Sequence, residues 1–169
     1  LTAATLRNAD ASEATLPDAD LSETTARDAV FAGVAATGTT FAGADVTDAT
    51  FDDSDLEGAG FVEATAERAS FLRADLAEAT FDNATLVEAT LADAVAPAAT
   101  FERAALDDAD LSAVDLTDAT LERATAVGAD IERATLDGAT LDRVDAEGAT
   151  LREATLAAAT LRDATLDDV

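Results

Sequence analysis

One residue in every five is apolar along the chain, from Leu1 to Leu166, and no insertion interrupts the pattern. We call this the centre position, and it occurs 34 times. Two residues before each centre lies an inner position, which is Ala in 27 of 34 cases. None of the 36 acidic and 10 basic residues occupies either position. The exceptions to Ala at the inner position are Thr24, Val34, Thr39, Ser54, Val114, Val144 and Val169.

A period of five fits neither a strand nor a helix. In a strand, successive centres would point to opposite faces. On a helix, five residues advance about 140° beyond a full turn, which spreads the centres around the cylinder. The pattern instead predicts a solenoid, in which each unit forms one side of a coil, points its centre inward and then turns a corner. The residue before a centre is called the face position, and the two residues after it are the first and second corner positions.

The distribution of large and small centres predicts four units, or 20 residues, per coil. Sorted in this way, all seven Phe fall into two opposite stacks, and six of the seven Ala centres fall into the other two. Only Ala11 departs from the pattern. A narrow interior requires large residues along one diagonal and small residues along the other. The Phe residues predicted to form the structural core are Phe31, Phe51 and Phe71 in one stack and Phe41, Phe61, Phe81 and Phe101 in the other.

Gly and Pro mark the corners of the predicted coil. Seven of the eight Gly occupy the second corner position, where a type II turn needs a positive φ angle. Both Pro residues, Pro17 and Pro97, occupy the first corner position, which is the preferred Pro site of such a turn. These residues therefore favour a tight turn in each unit.

The units Ala-Asp-Leu-Ser-Glu (19–23), Ala-Asp-Leu-Ala-Glu (74–78) and Ala-Thr-Leu-Glu-Arg (119–123) resemble the Ala-(Asp/Asn)-Leu-x-x motif of the pentapeptide-repeat family. The resemblance covers the whole chain and implies an all-β fold, a right-handed quadrilateral β-helix of about eight coils. The chain differs in favouring Thr before the centre, and units 34–38 and 95–97 are the expected places of distortion. We expect a single solenoid over 1–169 and, because the first residue is Leu1 and not Met, a segment of a larger chain.

The charge balance is strongly acidic, with a formal net charge of −26 and Arg as the only basic residue type. Because phosphate binding depends on Lys and Arg, this composition argues against direct nucleic-acid binding. We interpret the acidity as adaptation to high salt, where carboxylates hold water and counterions, with GC-rich codon bias as the alternative. The compartment is left open between the cytoplasm and the cell surface of a salt-adapted organism.

The residue types that most enzymes need are absent. Without His, Cys or Lys the chain has no Ser-His or Cys-His dyad and no Schiff-base lysine. The carboxylate clusters at 52–55 and 107–110 are interpreted as solvated surface, with weak cation association and glycoside chemistry as the alternatives. We therefore expect no enzyme activity, no cofactor and no metal site. No run of 18 apolar residues is present, so we expect no membrane insertion.

All ten Arg occupy corner positions, and three of them are spaced by one predicted coil. Arg103, Arg123 and Arg143 should stack as a ladder, each beside an acidic neighbour. Exposed ion pairs of this kind contribute about 0–1 kcal/mol each, so the structural interpretation is a surface ion-pair ladder. The alternative is a local patch that binds an acidic protein partner.

Five Thr residues form a second ladder at the face position of one side of the coil. β-Branched residues are favoured in stacked strands, so we interpret this ladder as structural. A regular hydroxyl array is also similar to ice-binding solenoids, but the paired Thr columns of those proteins are not evident. The ladder residues are Thr80, Thr100, Thr120, Thr140 and Thr160.

The leading functional hypothesis is a non-enzymatic structural or protein-interaction module, a rigid acidic rod acting as scaffold, spacer or end-to-end stacking unit. Both ends fall in phase with the repeat and show no polar cap, so a protein partner or a second copy could cover them. The alternative implied by the family resemblance is a DNA mimic that binds DNA gyrase. Such relatives typically carry a dimerising C-terminal helix, and no helical segment is evident here. If mimicry exists, the Arg-free stretch between Arg27 and Arg68 should carry it.

Overall fold

The computed structural model describes residues 1–166, and over this range the chain is a β-solenoid with coils stacked in parallel. Each β residue is an isolated bridge at the face position and pairs with the residue 20 positions later, from Thr5↔Thr25 to Asp145↔Thr165. The two corner residues between successive bridges form a turn, and residues 1–166 contain neither a helix nor a strand longer than one bridged residue. The same range accordingly has no apolar helix of membrane-spanning length. The bridge spacing confirms the 20-residue coil that the Phe stacks predict.

Four of the five backbone N–H groups in a typical interior unit are hydrogen-bonded within the coil lattice. The centre and second corner N–H groups donate to the next coil, as Leu6 N does to Thr25 O at 2.7 Å. The face N–H donates to the preceding coil, as Thr25 N does to Ala4 O at 2.9 Å. The inner N–H closes the turn, as Ala9 N does by donating to Leu6 O at 3.0 Å. In such an interior unit the first corner N–H is the group left without a backbone partner.

Every second corner residue from Ala3 to Asp163 has a positive φ angle. Seven are the Gly predicted for this site, with φ of 63–74°, and 26 are other residues, with φ of 53–62°. The left-handed region costs a residue with a side chain about 1–2 kcal/mol, which is why the sequence predicts it only at Gly. The coil lattice enforces this conformation at the other corners, because it lets the second corner N–H reach a carbonyl of the next coil, as Glu88 N reaches Asp107 O at 3.0 Å.

The interior is filled by the centre and inner residues, and all seven Phe are at most 1% exposed. Within each Phe stack the rings are nearly parallel, with centroids 4.7–5.0 Å apart. The two stacks meet edge to face, with centroids 5.5–5.9 Å apart. Aromatic pairs in these geometries add about 0.5–1.5 kcal/mol each to the free energy of burial.

Burial is incomplete in the first and last described coils. The sequence predicts that every centre is buried, but Leu1 is 67% exposed and the other end centres are only half-buried. The prediction is wrong there because an interior coil is covered on both sides, whereas an end coil has one neighbour. Val169, also expected to face inward, lies outside the described residues. The half-buried centres are Leu6, Ala11, Leu16, Leu151, Leu156, Leu161 and Leu166.

The two units that match the repeat motif poorly are not distorted, which corrects the expectation from the sequence. Their face residues, Ala35 and Val95, each bridge both neighbouring coils. Their centres, Ala36 and Ala96, are fully buried. The backbone lattice does not depend on a large centre, and Pro97 lies at the corner position whose N–H has no lattice partner. The chain therefore keeps its register through both units.

Three polar inner residues are buried without leaving a hydroxyl unpaired. Each donates to a backbone carbonyl, which avoids the cost of burying an unsatisfied hydroxyl. The bonds run from Thr24 Oγ1 to Leu21 O at 2.8 Å, from Ser54 Oγ to Phe31 O at 2.9 Å, and from the Thr39 hydroxyl to Leu16 O.

Candidate functional site

The outer surface of the coils is the candidate functional site, because it carries the charged side chains. Charged residues occur only at face and corner positions, and none of those in residues 1–166 is buried. The side chains therefore project in columns along the rod, with neighbours 20 residues apart in sequence. Parallel strands lie about 4.8 Å apart, so each column repeats at about that spacing.

All nine Asp residues at the face position accept a hydrogen bond from the first corner N–H two residues later. Asp110 Oδ1 accepts from Ser112 N at 3.0 Å, and Asp75 Oδ1 accepts from Ala77 N at 3.1 Å. The donor is the one backbone group that the coil lattice leaves unpaired. Asp has the length for such a local turn bond, and Glu does not occur at the face position.

Four further Asp residues occupy the first corner position. Each accepts a hydrogen bond from the first corner N–H of the next coil. Their Oδ1 atoms accept at 2.8–2.9 Å, and the Glu residues at this position make no such bond within residues 1–166. Part of the acidity therefore completes the backbone hydrogen bonding. The donor and acceptor residues are Glu102 with Asp82, Val127 with Asp107, Ala157 with Asp137, and Arg162 with Asp142.

These bonds lower the pKa values of several carboxyls. The Ser12 hydroxyl and N–H lower the pKa of Asp10, and the Ser22 N–H lowers that of Asp20. The Arg162 N–H lowers the pKa of Asp142. Our sequence reasoning missed this role, although the segregation of nine Asp and no Glu at the face position is a signal that could have identified it.

Asp45 is a partly buried carboxylate that accepts hydrogen bonds from Thr47 and Arg27. Burial raises its pKa, but hydrogen bonds from Thr47 and from Arg27 Nε outweigh burial, so the pKa is lowered overall. Thr47 is itself 3% exposed although it occupies a corner. We interpret these three side chains as one structural hydrogen-bonded group of the rod.

Two Arg residues outside the ladder bind a carboxylate of the preceding coil through two nitrogens. Arg68 contacts Asp48 at 2.7 and 2.9 Å, and Arg73 contacts Asp53 at 2.7 Å through both Nε and Nη2. These bonds lower the pKa of both carboxyls. Because the side chains are about half exposed, solvent screening keeps their contribution to stability small.

The three ladder arginines occupy the second corner position of successive coils. Arg103 donates to Asn83 Oδ1 at 2.8 Å and also contacts Glu102. Arg123 Nε lies 3.6 Å from Glu122 Oε1, and Arg143 Nη1 lies 3.8 Å from the same oxygen. Arg103 is therefore hydrogen-bonded within the column, whereas Arg123 and Arg143 make only looser contacts with Glu122.

The last two levels of this corner differ from the pairing expected from the sequence. Asp142, expected beside Arg143, instead lies 3.7 Å from Arg162 Nη1 and accepts the Arg162 N–H. The order of charges also reverses, because Arg162 precedes Asp163 whereas an acidic residue precedes Arg in the three coils before it.

In the carboxylate cluster at 52–55 each side chain makes a contact of its own. Asp52 accepts from the Ser70 hydroxyl, Asp53 pairs with Arg73, and Asp55 accepts a backbone N–H. In the cluster at 107–110, Asp107 accepts from Val127 N and Asp110 accepts from Ser112 N. Over the part of the chain that the structure describes, no group of three or more His, Cys, Asp or Glu is placed to hold a metal ion.

The Thr ladder is a continuous column of bridges along one side, from Thr80↔Thr100 to Thr140↔Thr160. Its residues are half-buried and lie on the side that leads into the Arg ladder corner. The column forms an uncharged strip on an otherwise acidic surface. It consists of one Thr per coil on that side, which agrees with its interpretation as a structural column.

A family model described as Pentapeptide repeats matches residues 1–34, 27–61, 54–93, 98–133 and 129–168. The four residues between the third and fourth matches, 94–97, include the weak unit at 95–97, where the backbone is nevertheless regular. No curated protein sequence matches the chain significantly.

Among solved structures, the chain is similar to HetL, a pentapeptide repeat protein involved in heterocyst differentiation regulation from the cyanobacterium Nostoc sp. strain PCC 7120. The two are 27% identical with a TM-score of 0.62, over 98% of this chain and 86% of HetL. The chain is also similar to a trypsin-treated variant of QnrB1, a plasmid-mediated fluoroquinolone resistance protein. That match has 19% identity and a TM-score of 0.69, over 95% of this chain and 84% of QnrB1, and supports the fold alone.

Proposed function

Because this chain belongs to the pentapeptide-repeat family, we propose that it is a non-enzymatic structural or protein-interaction module, a rigid acidic rod that acts as scaffold, spacer or stacking unit. HetL, a similar protein, is described as involved in regulation, and this is consistent with a module that works by contact. The partner is a protein, and the rod binds no nucleic acid directly because its net charge is −26.

The unbroken hydrogen-bond register is the observation that carries this proposal. Face residues are bridged at every fifth position from Thr5 to Thr165, so no insertion opens a cleft in that range. The interior is filled by apolar side chains, and some of the carboxylates are bound to backbone N–H groups or Arg, as Asp75 and Asp48 are. A surface of this kind offers length, stiffness and repeated charge to a partner.

We also propose the right-handed, quadrilateral form for the rod. Four turns in each 20-residue coil support it, and the family resemblance implies the hand. At about 4.8 Å per coil the rod is roughly 40 Å long. An experimental structure that resolves the path of one coil checks this form, and a left-handed or three-sided coil would contradict it.

The spacer role predicts that the rod can be lengthened without loss of fold. Inserting a copy of residues 81–100 after Thr100 adds one coil and keeps every stack aligned. We expect small-angle X-ray scattering to give an unchanged cross-section and a maximum dimension about 4.8 Å longer. Inserting only the first ten residues of that copy turns the following coils by two sides. This variant is the control that shows whether the alignment of the stacks matters. A 20-residue copy that unfolds the rod would refute the spacer role.

Stacking at the ends is the proposed mode of self-association. The end coils expose half-buried Leu and open backbone groups, and solenoids need such surfaces covered. A further coil, from the same polypeptide or from a second copy, would continue the hydrogen-bond lattice. Sedimentation over a range of protein concentrations checks association of this polypeptide with itself, and a strict monomer at millimolar concentration would exclude it.

High salt is the proposed setting of the acidic surface. Carboxylates along a narrow rod repel one another, and the screening length falls from about 10 Å at 0.1 M salt to about 3 Å at 1 M. We expect the melting temperature to rise steeply from dilute buffer to molar KCl or NaCl. A melting temperature that does not change with salt would remove salt adaptation as the reason for the acidity.

A gyrase supercoiling assay separates the scaffold from a DNA mimic. Mimicry requires negative charge ordered over a continuous face, whereas here 13 Asp side chains are directed at the rod's own backbone and Arg interrupts the columns. We expect no specific inhibition at a salt concentration where both proteins are folded, with a gyrase-binding pentapeptide-repeat protein as positive control. Inhibition at sub-micromolar protein would overturn the scaffold proposal.

A further inference from the structure

At one corner of the rod eight charged residues sum to zero, although the chain carries a net charge of −26. We define the corner ladder as the two corner positions of four successive coils. It holds four Arg and four acidic residues, so a second molecule with the same strip meets no net repulsion there. The members of the corner ladder are Glu102, Arg103, Glu122, Arg123, Asp142, Arg143, Arg162 and Asp163.

The central guanidinium groups of the corner ladder have hydrogen-bond donors to spare. Arg123 and Arg143 approach Glu122 only to 3.6 and 3.8 Å, beyond hydrogen-bonding distance. Arg68 and Arg73, at other corners, bind their carboxylates through two nitrogens at 2.7–2.9 Å. A guanidinium has five N–H donors, and about half of the Arg123 and Arg143 side chains is exposed. These groups are therefore available to a carboxylate of a partner.

The order of charges selects the partner's orientation. In each of the first three coils of the ladder an acidic residue precedes Arg, and in the fourth the order is Arg162 then Asp163. A two-fold axis parallel to the rod places each first corner residue opposite the second corner residue of the same level, which is of opposite charge at all four levels. An antiparallel arrangement would place Glu122 opposite Asp142 and Arg123 opposite Arg143.

We propose that the corner ladder binds the corner ladder of a second copy of this chain, with the two rods side by side and parallel. The inference rests on the proposed interaction role and names a partner for it. The contact is one corner wide, so it belongs with small, transient interfaces and not with stable dimers. Charge complementarity supplies its specificity and register.

Cross-linking at one introduced cysteine tests the arrangement, because the chain has no Cys of its own. Asn83 lies at the second corner position one coil before Arg103, so Asn83→Cys places two thiols at the same level of a parallel pair. Asn8→Cys is the matched control, at the same turn position of a different corner with φ of 53°. We expect a short bis-maleimide to give dimers with Asn83→Cys and not with Asn8→Cys. Equal yields from both variants, or none from Asn83→Cys, would overturn the proposal.

A charge swap tests the pairing itself. In the Asn83→Cys background, Arg123→Glu should lower the cross-linking yield about tenfold, since it puts like charges together at one level. Adding Glu122→Arg restores opposite charges between two copies of the double variant, so its yield should recover. That double variant should cross-link poorly to the unswapped chain. If the single and double variants lose yield equally, the ladder does not pair as proposed.

The assays are run at the lowest salt at which circular dichroism reports the folded rod, because salt weakens exposed ion pairs. Circular dichroism of each variant separates lost pairing from lost fold. A folded rod that lengthens with an added coil and leaves gyrase unaffected, yet gives no cross-link, would refute the ladder pairing and leave the scaffold proposal standing.

Discussion

The aromatic region of the rod, residues 31–101, and the aliphatic region, residues 106–166, have different cores in the same backbone. The aromatic region contains all seven Phe, whereas every centre of the aliphatic region is Leu, Ile or Ala. The lattice bonds are nevertheless alike, since Phe61 N donates to Thr80 O at 2.6 Å and Leu121 N donates to Thr140 O at 2.7 Å. The φ angle of the second corner residue is positive in both regions.

The comparison indicates that the backbone lattice and the small inner residues set the coil, and that the centre residue adapts to it. Parallel strands lie about 4.8 Å apart, and the stacked Phe rings take centroid distances of 4.7–5.0 Å because the coils hold them at that spacing. The centre then determines how much stability each coil contributes. We therefore expect the two regions to respond differently to changes in the core and equally to changes at the corners.

Truncating one centre residue in each region should give the largest difference in unfolding free energy between the two regions. Phe61 stacks on Phe41 and Phe81 and meets Phe51 and Phe71 edge to face. We expect Phe61→Ala to cost about 4–5 kcal/mol of unfolding free energy, from the cavity and the lost aromatic contacts. Leu121→Ala, in the same stack of the aliphatic region, should cost about 2–3 kcal/mol. Urea unfolding in molar KCl measures both.

Phe61→Leu is the matched control for this comparison. It converts one level of the aromatic region to the aliphatic type, and we expect it to keep the fold and cost less than about 2 kcal/mol. Equal costs for Phe61→Ala and Leu121→Ala would contradict the idea that the Phe stacks hold extra stability.

Inserting five residues, which shifts the register by one side, should give the next largest difference in unfolding free energy between the two regions. A copy of residues 134–138 inserted after Gly58 turns all later Phe by one side, so Phe61 leaves the stack of Phe41 and enters that of Val46. The same copy inserted after Gly138 places Leu141 on Ala126 and Ala146 on Ile131, and moves no Phe. We expect the first insertion to cost about 2–3 kcal/mol more than the second, from overpacking and lost ring contacts. Urea unfolding of both variants in molar KCl measures the difference.

A copy of residues 39–58 inserted after Gly58 is the control, because 20 residues restore the alignment of both Phe stacks. It should unfold at a urea concentration no lower than the parent rod. The two five-residue insertions could instead lower the unfolding free energy by the same amount. In that case the alignment of the two Phe stacks would not be what fixes the register of the coils.

Much of the fold could be predicted from periodicity, because apolar and charged residues are segregated at every repeat. The centres, the Ala column and the 20-residue coil follow from which residues avoid water and which fit a narrow interior. The end coils could not be predicted in the same way, since burial there depends on a neighbour and not on the residue. The regular backbone at 95–97 was also missed, because a motif match reports side chains whereas the coil is held by backbone bonds.

The surface was harder to predict than the core. The Arg ladder follows from spacing, yet the shift of Asp142 toward Arg162 depends on side-chain reach. The positive φ angle at 26 corners without Gly could not be read from residue types, since a lattice of bonds imposes it. The face Asp residues accept hydrogen bonds from the first corner N–H groups. The one sequence signal of this role is that Glu does not occur at the face position.

Replacing corner glycines by Ala should have a smaller effect on stability. This effect should depend on the side chain in the neighbouring coil and not on the core. A Cβ at Gly138 would lie 2.2 Å from Asp118 Oδ1, whereas a Cβ at Gly58 would meet nothing within 4 Å. Both glycines have positive φ, so each Ala substitution should cost about 1 kcal/mol for the backbone. Gly138→Ala should cost about 1 kcal/mol more while Asp118 moves aside. Thermal melts measure the difference.

Two further comparisons test whether contact with the neighbouring coil causes the difference in stability. Gly148, in the aliphatic region, has open space like Gly58, so the two Ala variants should melt at the same temperature. In an Asp118→Ala background the extra cost of Gly138→Ala should vanish. If Gly58→Ala and Gly148→Ala differ, the core beneath a corner does influence its strain, and the two regions are not equivalent at their corners.

The bond between a face Asp and the first corner N–H should give the smallest effect, and it should be the same in both regions. Asp75 accepts from Ala77 N at 3.1 Å in the aromatic region, and Asp130 accepts from Glu132 N at 3.0 Å in the aliphatic region. Asp→Glu keeps the charge but moves the carboxylate beyond this N–H, so it should cost about 0.5–1 kcal/mol at either site. Asp→Asn keeps the acceptor oxygen and removes the charge, so in molar KCl it should cost almost nothing. If Asn costs as much as Glu, charge and not the N–H bond explains Asp at the face position.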